Sequence, residues 1–223
     1  PIISAGKGVF GQAVALAMSH PVGIGNARHR HPDFEGYAEG ACYPVFRKEI
    51  FEKIGFYDEM LVRNQDDELN YRLTKQGGKV FLSPRARSTY YVRETVASLY
   101  RQYFEYGYWR VAVIRKHRMP ASLRHLVPPI FSMGMVASCV LALMMPAGWR
   151  LLMLSGPCVY GLILCGVGLA ISRRAGWKVG ALFPLAAATM HMAYGMGFMW
   201  GIIRGAQASS VGSHKDTAFM KSG

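Results

Sequence analysis

The densest group of acidic side chains in the sequence lies within residues 65–72, which read QDDELNYR. Carboxylates this close raise one another's pKa, and a carboxylate with a raised pKa suits a general base or a metal site. A second explanation needs no chemistry, because negative charges at a helix start complement the helix dipole and cap exposed N–H groups. On composition alone the structural explanation is the simpler one, and both stay open at this point.

A helix is predicted to carry this acidic motif. Asn64 is placed to cap its start, and Asp66, Asp67 and Glu68 fall in its first turn. Glu68 and Arg72 are four residues apart, so they can form an ion pair on one face. The helix is therefore expected to hold the acidic group at its start and a counter-charge one turn later.

The neighbouring elements follow an α/β pattern. Apolar residues at four-residue spacing predict a short amphipathic helix over residues 46–54. Leu69 and Leu73 are expected to face the core from the helix of the acidic motif. A glycine pair at 77–78 ends that helix, and residues 79–82 predict a strand. The pattern is too short for a complete doubly wound sheet.

The second half of the chain is strongly apolar. Half of the 223 residues are apolar (51%), and residues 126–204 contain no Asp or Glu. Uncharged runs over residues 126–145, 151–171 and 180–203 are each long enough to cross the hydrocarbon core of a bilayer. Buried helices of a soluble core would need a polar exterior, which this part of the chain lacks. We predict about three transmembrane helices.

Lysine and arginine in the short flanks of such helices predict their orientation. Five basic residues shortly precede the first run, one lies between the first and second runs, and three lie between the second and third. We therefore expect the N-terminal part in the cytoplasm and, with three crossings, the tail outside. Three basic residues in the tail argue weakly against that side.

The third apolar run contains two features of its own. Gly197, Gly201 and Gly205 recur every four residues, a small-residue stripe that lets another helix approach closely. His191 lies in the middle of the run, where an ionisable group is by default a functional hypothesis. Since no acidic residue in the runs can pair with it, we expect a neutral, hydrogen-bonded histidine.

The net charge of +13 indicates an acidic partner, either nucleic acid, anionic lipid or a phosphate-bearing substrate. The aromatic and basic run 100–110 could stack on nucleic acid. Directly before a membrane span, it fits better an interfacial helix with rings at headgroup depth. His29 and His31 are flanked by arginines and fit a solvated or phosphate-facing loop better than a metal pair.

The cysteines and the first residues add two expectations. Three of the four cysteines fall in apolar runs, so neither a disulfide framework nor a zinc cluster is expected. The chain starts at Pro1 without a charged-then-apolar leader, so we expect no signal peptide here and a portion of a longer protein.

Several motifs occur in the order in which a known enzyme family has them. They are FRKEIFEKIGFYDE at 46–59, the acidic motif, the glycine pair, RQYFEYGYW at 101–109 and KH at 116–117. Over residues 13–128 the chain resembles the second half of the family 2 glycosyltransferases (GT-A type). The similarity is closest to their membrane-bound exopolysaccharide branch, the succinoglycan-type glucosyltransferases.

This resemblance implies a fold class and a division of the chain. The expected fold is the C-terminal half of an α/β GT-A-like catalytic domain followed by an all-α transmembrane region. The implied parts are an acceptor-side half (1–92), an amphipathic interfacial segment (93–125), transmembrane helices (126–204) and a flexible tail (205–223). Within the first part, residues 36–42 would form a wall of the acceptor pocket.

The resemblance also implies roles for the acidic motif. Asp66 stands where the family has the catalytic base of an inverting displacement, and Gln65 replaces the usual Glu beside it. Asp67 is a second candidate base, although it is out of register with the family's motif. Glu68 and Arg72 would be the buried pair that positions the helix.

Further residues are assigned to the acceptor by the same resemblance. Gln102, Tyr106 and Trp109 would contact it. Glu105 stands where processive relatives have Arg, so we do not infer processivity.

The donor side is expected outside this chain. The sequence contains no Asp-x-Asp, the motif that holds Mg²⁺ or Mn²⁺ against the nucleotide diphosphate in the family. The divalent cation would therefore have its ligands upstream, and we expect no metal site here. The implied partners are a nucleotide-sugar donor (a UDP-sugar), a lipid-linked saccharide acceptor and membrane lipid, with no nucleic acid. The implied location is the inner membrane, with several crossings and a cytoplasmic catalytic part.

A different class of function fits part of the same pattern. In a non-enzymatic membrane module, the acidic helix is structural and the basic belt binds anionic lipid or a partner. A transporter fits less well, because the apolar runs lack paired ionisable groups. An Asp-x-Asp after a hydrophobic strand upstream in the gene would favour the enzyme.

Overall fold

The computed structural model describes residues 1–25, 27–118 and 123–206, and it is mostly helical. The first part contains four short strands, β1 (Ile2–Ala5), β2 (Gly36–Ala38), β3 (Val80–Leu82) and β4 (Ser88–Tyr91). Strands β1 and β4 pair in parallel, and β2 pairs with β3 in antiparallel register. The described strands form these two small sheets, so the GT-A-like fold stays a prediction.

Five helices accompany these strands. They are α1 (Gly8–Ala17), α2 (Pro21–Ile24), α3 (Lys48–Ile54), α4 (Gln65–Lys75) and α5 (Val96–His117). The helix predicted over 46–54 is present and begins two residues later, as α3. The strand predicted over 79–82 is β3.

Helix α4 carries the acidic motif and packs as predicted. Leu69 and Leu73 lie in a buried cluster with Ile54 and Val80. The predicted cap is wrong: Asn64 does precede the helix, but its backbone is left-handed and its side chain makes no capping bond. The Asn64 amide instead donates to the carbonyl of Tyr106, at 3.0 Å, because α5 lies directly beside this end of α4.

Three long apolar helices follow, α6 (Val127–Met144), α7 (Ala147–Ala175) and α8 (Trp177–Ile203). Each is long and apolar enough to cross a membrane. They correspond to the three predicted runs, but α7 and α8 are longer and are separated only by Gly176. On α6 and α7 large apolar side chains are exposed, such as Leu143 (81%) and Leu151 (79%), which is the surface expected against lipid.

Helix α8 differs from the other two because much of its surface is covered by the first part of the chain. Ala13, Val14 and Ala17 of α1 share a buried cluster with Phe183 and Met190 of α8. The α/β part is therefore joined to the apolar helices through a common core.

His191 of α8 takes part in this join. Its Nε2 lies 2.8 Å from the carbonyl oxygen of Gly23, and its Nδ1 lies 2.7 Å from the hydroxyl of Tyr160. The Gly23 carbonyl can accept a hydrogen bond from Nε2–H, and Nδ1 can then accept one from the tyrosine hydroxyl, so one neutral tautomer satisfies both contacts. The predicted hydrogen-bonded histidine is confirmed.

Helix α5 occupies most of the segment predicted as amphipathic and interfacial. Its middle is buried on every side, including the rings of Tyr103, Tyr108 and Trp109 and the polar side chains of Gln102 and Arg110. The rings of Tyr103, Tyr108 and Trp109 thus lie inside the protein, whereas Tyr100 is exposed. This burial could not be predicted from the sequence, because an apolar protein neighbour and a lipid leave the same pattern. The interfacial placement of the segment stays a prediction.

The neighbour that buries α5 is α8, and glycines set the distance between the two backbones. A Cβ on Gly197 would lie 2.0 Å from the carbonyl oxygen of Phe104, and one on Gly107 would lie 2.0 Å from that of Tyr194. Only glycine fits at such a contact. The glycine stripe predicted to accept a helix therefore accepts α5 of the same chain.

We expect Gly197→Ala to lower the free energy of unfolding by about 1–3 kcal/mol, because the new methyl group must push α5 away from α8. Gly166→Ala is the matched control, since a Cβ on Gly166 of α7 meets no atom within 4 Å. That control should be neutral or stabilising by up to about 1 kcal/mol. Thermal unfolding in detergent measures both, and equal midpoints for the two variants would contradict the packing.

Candidate active site

The acidic motif lies where α4 begins, next to the middle of α5. Asp66 is half-buried, and its Oδ1 accepts a hydrogen bond from the backbone N–H of Asp67 at 2.9 Å. Burial raises the pKa of Asp66, and the neighbouring charge of Asp67 raises it further. Gln65 donates from its side chain to the carbonyl of Leu61 and adds no charge beside Asp66.

Asp67 has the opposite character because it is paired. Its Oδ2 forms an ion pair with the buried guanidinium of Arg110 on α5. Burial alone would raise the pKa of Asp67, but Arg110 more than offsets this and holds that pKa below its usual value. The two adjacent aspartates therefore have pKa values pushed apart, which is how one site obtains a base and a permanently charged neighbour.

Glu68 is fully buried and holds α4 against its neighbours. Both of its carboxylate oxygens accept from Nε of Arg72 at 3.0 Å, and Oε1 also lies 2.8 Å from Nζ of Lys116 and from Nε2 of His117. Burial opposes this charge, but the hydrogen bonds from Lys116, Arg72 and His117 keep the pKa of Glu68 below its usual value. The predicted pair of Glu68 and Arg72 is confirmed, and α5 adds two further partners.

A third contact joins the turn before α4 to α5. The buried carboxylate of Glu105 accepts from Arg63 at 2.8 Å and from Arg101 at 3.2 Å. Together with the bond from Asn64, this fixes the turn from which Asp66 projects. Helix α5 is thus the platform on which the acidic motif rests.

The residues assigned to the acceptor lie in two different places on α5. Gln102 and Tyr106 are adjacent, with Nε2 of Gln102 3.0 Å from the Tyr106 hydroxyl. Trp109 packs in a separate apolar cluster with Leu61 and Val113. None of the three lines the cavity beside Asp67, and their contact with an acceptor stays a prediction.

That cavity opens where α4, α5 and the wall segment meet. It is lined by Asp67 and Arg110 together with His29, Glu39, Gly40, Ala41, Cys42, Tyr71, Thr74 and His125. The last four residues of segment 36–42 line this cavity, and its role as an acceptor pocket stays a prediction. Burial raises the pKa of the Cys42 thiol to about 11, so it stays protonated.

Sequence reasoning missed Arg110, Lys116 and His117 as parts of the site. They belong to a run that was assigned to the membrane surface, and no spacing rule links them to residues more than forty positions earlier. A signal that could have found all three is that a cluster of three carboxylates needs basic partners when it is buried.

Two curated proteins are similar to this chain. The succinoglycan biosynthesis protein ExoA of Rhizobium meliloti (strain 1021) is 31% identical over 193 residues, which are 86% of this chain and 57% of that protein. The second relative is the dolichyl N-acetyl-alpha-D-glucosaminyl phosphate 3-beta-D-2,3-diacetamido-2,3-dideoxy-beta-D-glucuronosyltransferase of Methanococcus voltae. It is 35% identical over 69 residues, 31% of this chain and 22% of that protein.

The chain thus spans just over half of the first relative and about a fifth of the second. No protein-family model and no solved structure matches it. The two similarities agree with the recognition made from the motifs, since one relative is named for succinoglycan biosynthesis and the other is named a glucuronosyltransferase.

We expect Glu68→Gln to lower the free energy of unfolding at pH 7 by about 3 kcal/mol, because Arg72 and Lys116 lose the charge that they share. The folded-state pKa of Glu68 lies below the ordinary value of a glutamate, which is about 4.3. The Glu68 charge therefore stabilises the folded state fully above that ordinary value, and this stabilisation is lost as the pH falls through the folded-state pKa.

Unfolding midpoints of the parent and the Glu68→Gln variant should therefore converge at low pH. Denaturant titrations in detergent from neutral to acid pH test this, with Glu49→Gln on the exposed face of α3 as the control. A difference that is the same at every pH would contradict the role given to the Glu68 charge.

Proposed function

We propose that the protein to which this chain belongs is an inverting glycosyltransferase that moves a sugar from a nucleotide-diphosphate donor to a lipid-linked saccharide. The observation that carries the proposal is the pair of adjacent aspartates: Asp67 lines an open cavity and is neutralised by Arg110, and Asp66 next to it has a raised pKa. The relatives' names, which refer to succinoglycan biosynthesis and to a glucuronosyltransferase, support the same class.

In this mechanism Asp66 acts as the general base. It takes the proton from an acceptor hydroxyl while that oxygen attacks the anomeric carbon, and the bond from that carbon to the nucleotide diphosphate breaks with its electron pair. A single displacement of this kind inverts the anomeric configuration. The raised pKa suits the role, because a base accepts a proton most effectively when its pKa is near the working pH.

Asp67 and Glu68 act by positioning. Their ion pairs to α5 fix the start of α4, and a base must lie within hydrogen-bond reach of the proton that it removes. The structural and chemical explanations of the acidic motif therefore apply to different residues of it.

A lipid-linked acceptor fits the way the site is joined to the apolar helices. The name of the Methanococcus voltae relative describes a dolichyl-linked sugar phosphate as its acceptor. Helix α5 carries the partners of the acidic motif and packs directly on α8, so the site is held beside helices suited to a membrane.

The divalent cation and the UDP-sugar proposed for the donor side are assigned to the longer protein. Among the described residues no group of three His, Cys, Asp or Glu side chains could hold a metal ion. Every step proposed above is carried by residues of this chain and by the substrates.

We expect Asp66→Asn in the full-length protein to reduce sugar transfer by about 10²–10⁴-fold, because the acceptor proton loses its base. Asp33→Asn is the control, since Asp33 is exposed on the loop before β2. Transfer is measured with membranes, nucleotide sugar, Mg²⁺ and lipid acceptor. If Asp66→Asn matched the parent rate, the acidic motif would be structural only and a membrane-anchored interaction module would be the better interpretation.

We further propose that α6 and α7 cross the membrane while the last third of α8 stays outside the hydrocarbon, with the α/β part in the cytoplasm. Gly197 and Gly201 of α8 pack on the stretch of α5 that carries the Arg110–Asp67 ion pair. Charged groups at that level of a bilayer are costly. The excess of Lys and Arg before α6 supports the cytoplasmic side.

This placement predicts that the C-terminus lies on the same side as the site. A green fluorescent protein fused to the C-terminus of the full-length protein should fluoresce, because it folds in the cytoplasm, whereas an alkaline phosphatase fused there should be inactive. The reverse pair of results would indicate three complete crossings and an external tail.

A further inference from the structure

The charge of Arg30 has no counterpart among the described residues. Four charged residues in the described part of the chain are buried: Arg30, Glu68, Glu105 and Arg110. Each of the last three forms at least one ion pair. Arg30 is 6% exposed, yet no described carboxylate lies within ion-pairing distance of it.

The contacts that Arg30 does make are weak or neutral. Its Nη1 donates to the Ser4 hydroxyl at 3.3 Å, and its guanidinium lies 5.0 Å from the ring centre of Tyr90. Its Nε has no hydrogen-bond partner. A buried guanidinium stays charged, and a buried charge without a partner costs several kcal/mol.

The polar groups around Arg30 cannot supply the missing negative charge. Burial raises the pKa values of Tyr103 and Tyr106, so both hydroxyls stay neutral. The Tyr103 hydroxyl is also buried without a partner, and it can donate a hydrogen bond. The region therefore combines one positive charge with an unused donor, an arrangement suited to an anion that arrives from outside.

Arg30 also lies near the candidate active site. Arg30 directly follows His29, which lines the cavity together with Asp67. An anion on Arg30 would thus lie near the cavity that the acidic motif borders. Arg30 and Asp66 would bind different parts of a ligand, since Arg30 attracts negative charge and Asp66 accepts a proton.

We propose that Arg30 binds the phosphate or diphosphate group of a substrate near the cavity that Asp67 lines. This assignment rests on the proposed function, and the group has two possible sources, the nucleotide diphosphate of the donor and the phosphate that links the acceptor to its lipid. Arginine suits either source, because its planar fork donates two parallel hydrogen bonds to phosphate oxygens.

The test measures thermal unfolding of the full-length protein in detergent with EDTA, so that no metal bridges the anion. Inorganic pyrophosphate at saturating concentration should raise the parent's Tm by about 4 °C or more. Arg30→Met should abolish this shift, and without pyrophosphate it should unfold at or above the parent's Tm, because it removes an uncompensated charge. Arg87→Met, at an exposed arginine, should keep the full shift.

UDP and farnesyl diphosphate then distinguish the two sources. An Arg30-dependent Tm shift with UDP alone assigns the site to the donor, and one with farnesyl diphosphate alone assigns it to the acceptor lipid; either result supports the proposal. A pyrophosphate shift that survives in Arg30→Met overturns it. So does an Arg30→Met protein that is markedly less stable or does not fold, since this would show that a carboxylate elsewhere in the full-length protein already pairs with Arg30.

The proposed anion site and the proposed function can be contradicted by different results. Asp66→Asn should lose transfer and keep the pyrophosphate shift. A parent protein that transfers no sugar but shows the Arg30-dependent shift would contradict the proposed function and leave the anion site standing.

Discussion

The close contact between α5 and α8 is the constraint on which the rest of the structure depends. Gly107 and Gly197 have no Cβ, so each helix backbone comes within van der Waals contact of the other's carbonyl groups. Helix α5 then presents its remaining faces to α4, where Arg110, Lys116 and His117 meet the acidic motif. A shift of α5 on α8 would therefore move all of these basic side chains at once, and the position of the candidate base is coupled to the packing of an apolar helix.

This coupling explains why the acidic motif tolerates three consecutive carboxylates. Glu68 is buried among basic partners and Asp67 is paired with Arg110, so two of the three charges are neutralised by α5 and by Arg72. Asp66 is left with neither an ion pair nor full exposure, and its pKa rises for that reason. Three unpaired carboxylates at this spacing would repel one another and destabilise the folded state. Because Asp67 and Glu68 are paired, the folded state contains only one unpaired carboxylate here, that of Asp66.

The parts of this arrangement that could be predicted from the sequence are those with a local spacing signal. Glu68 and Arg72 are one helical turn apart, Leu69 and Leu73 share a face, and the apolar runs have the length of a bilayer. The ion pairs of Arg110 with Asp67 and of Glu105 with Arg63 could not be predicted, because the partners lie about forty residues apart and nothing local indicates such a pairing. The prediction that Asn64 caps α4 was wrong for a related reason. Its residue type suits a cap, but its amide donates to the carbonyl of Tyr106 on the neighbouring α5 instead. The burial of Tyr103, Tyr108 and Trp109 could not be predicted, because an apolar pattern does not distinguish lipid from a protein neighbour.

The buried charges are paired in one part of the site and unpaired in another. Around Glu68, Glu105 and Arg110 the charges are balanced within the chain, which is what a positioning element requires. Arg30 and Asp66 each lie next in sequence to a residue that lines the cavity, and neither forms an ion pair among the described residues. They carry opposite charges when ionised. A substrate that carries both an anionic phosphate and a hydroxyl with a removable proton would satisfy both at once, whereas an anionic lipid surface would satisfy only Arg30. The presence of both an unpaired arginine and an unpaired aspartate therefore favours binding of a reacting substrate at this cavity over binding of a membrane surface.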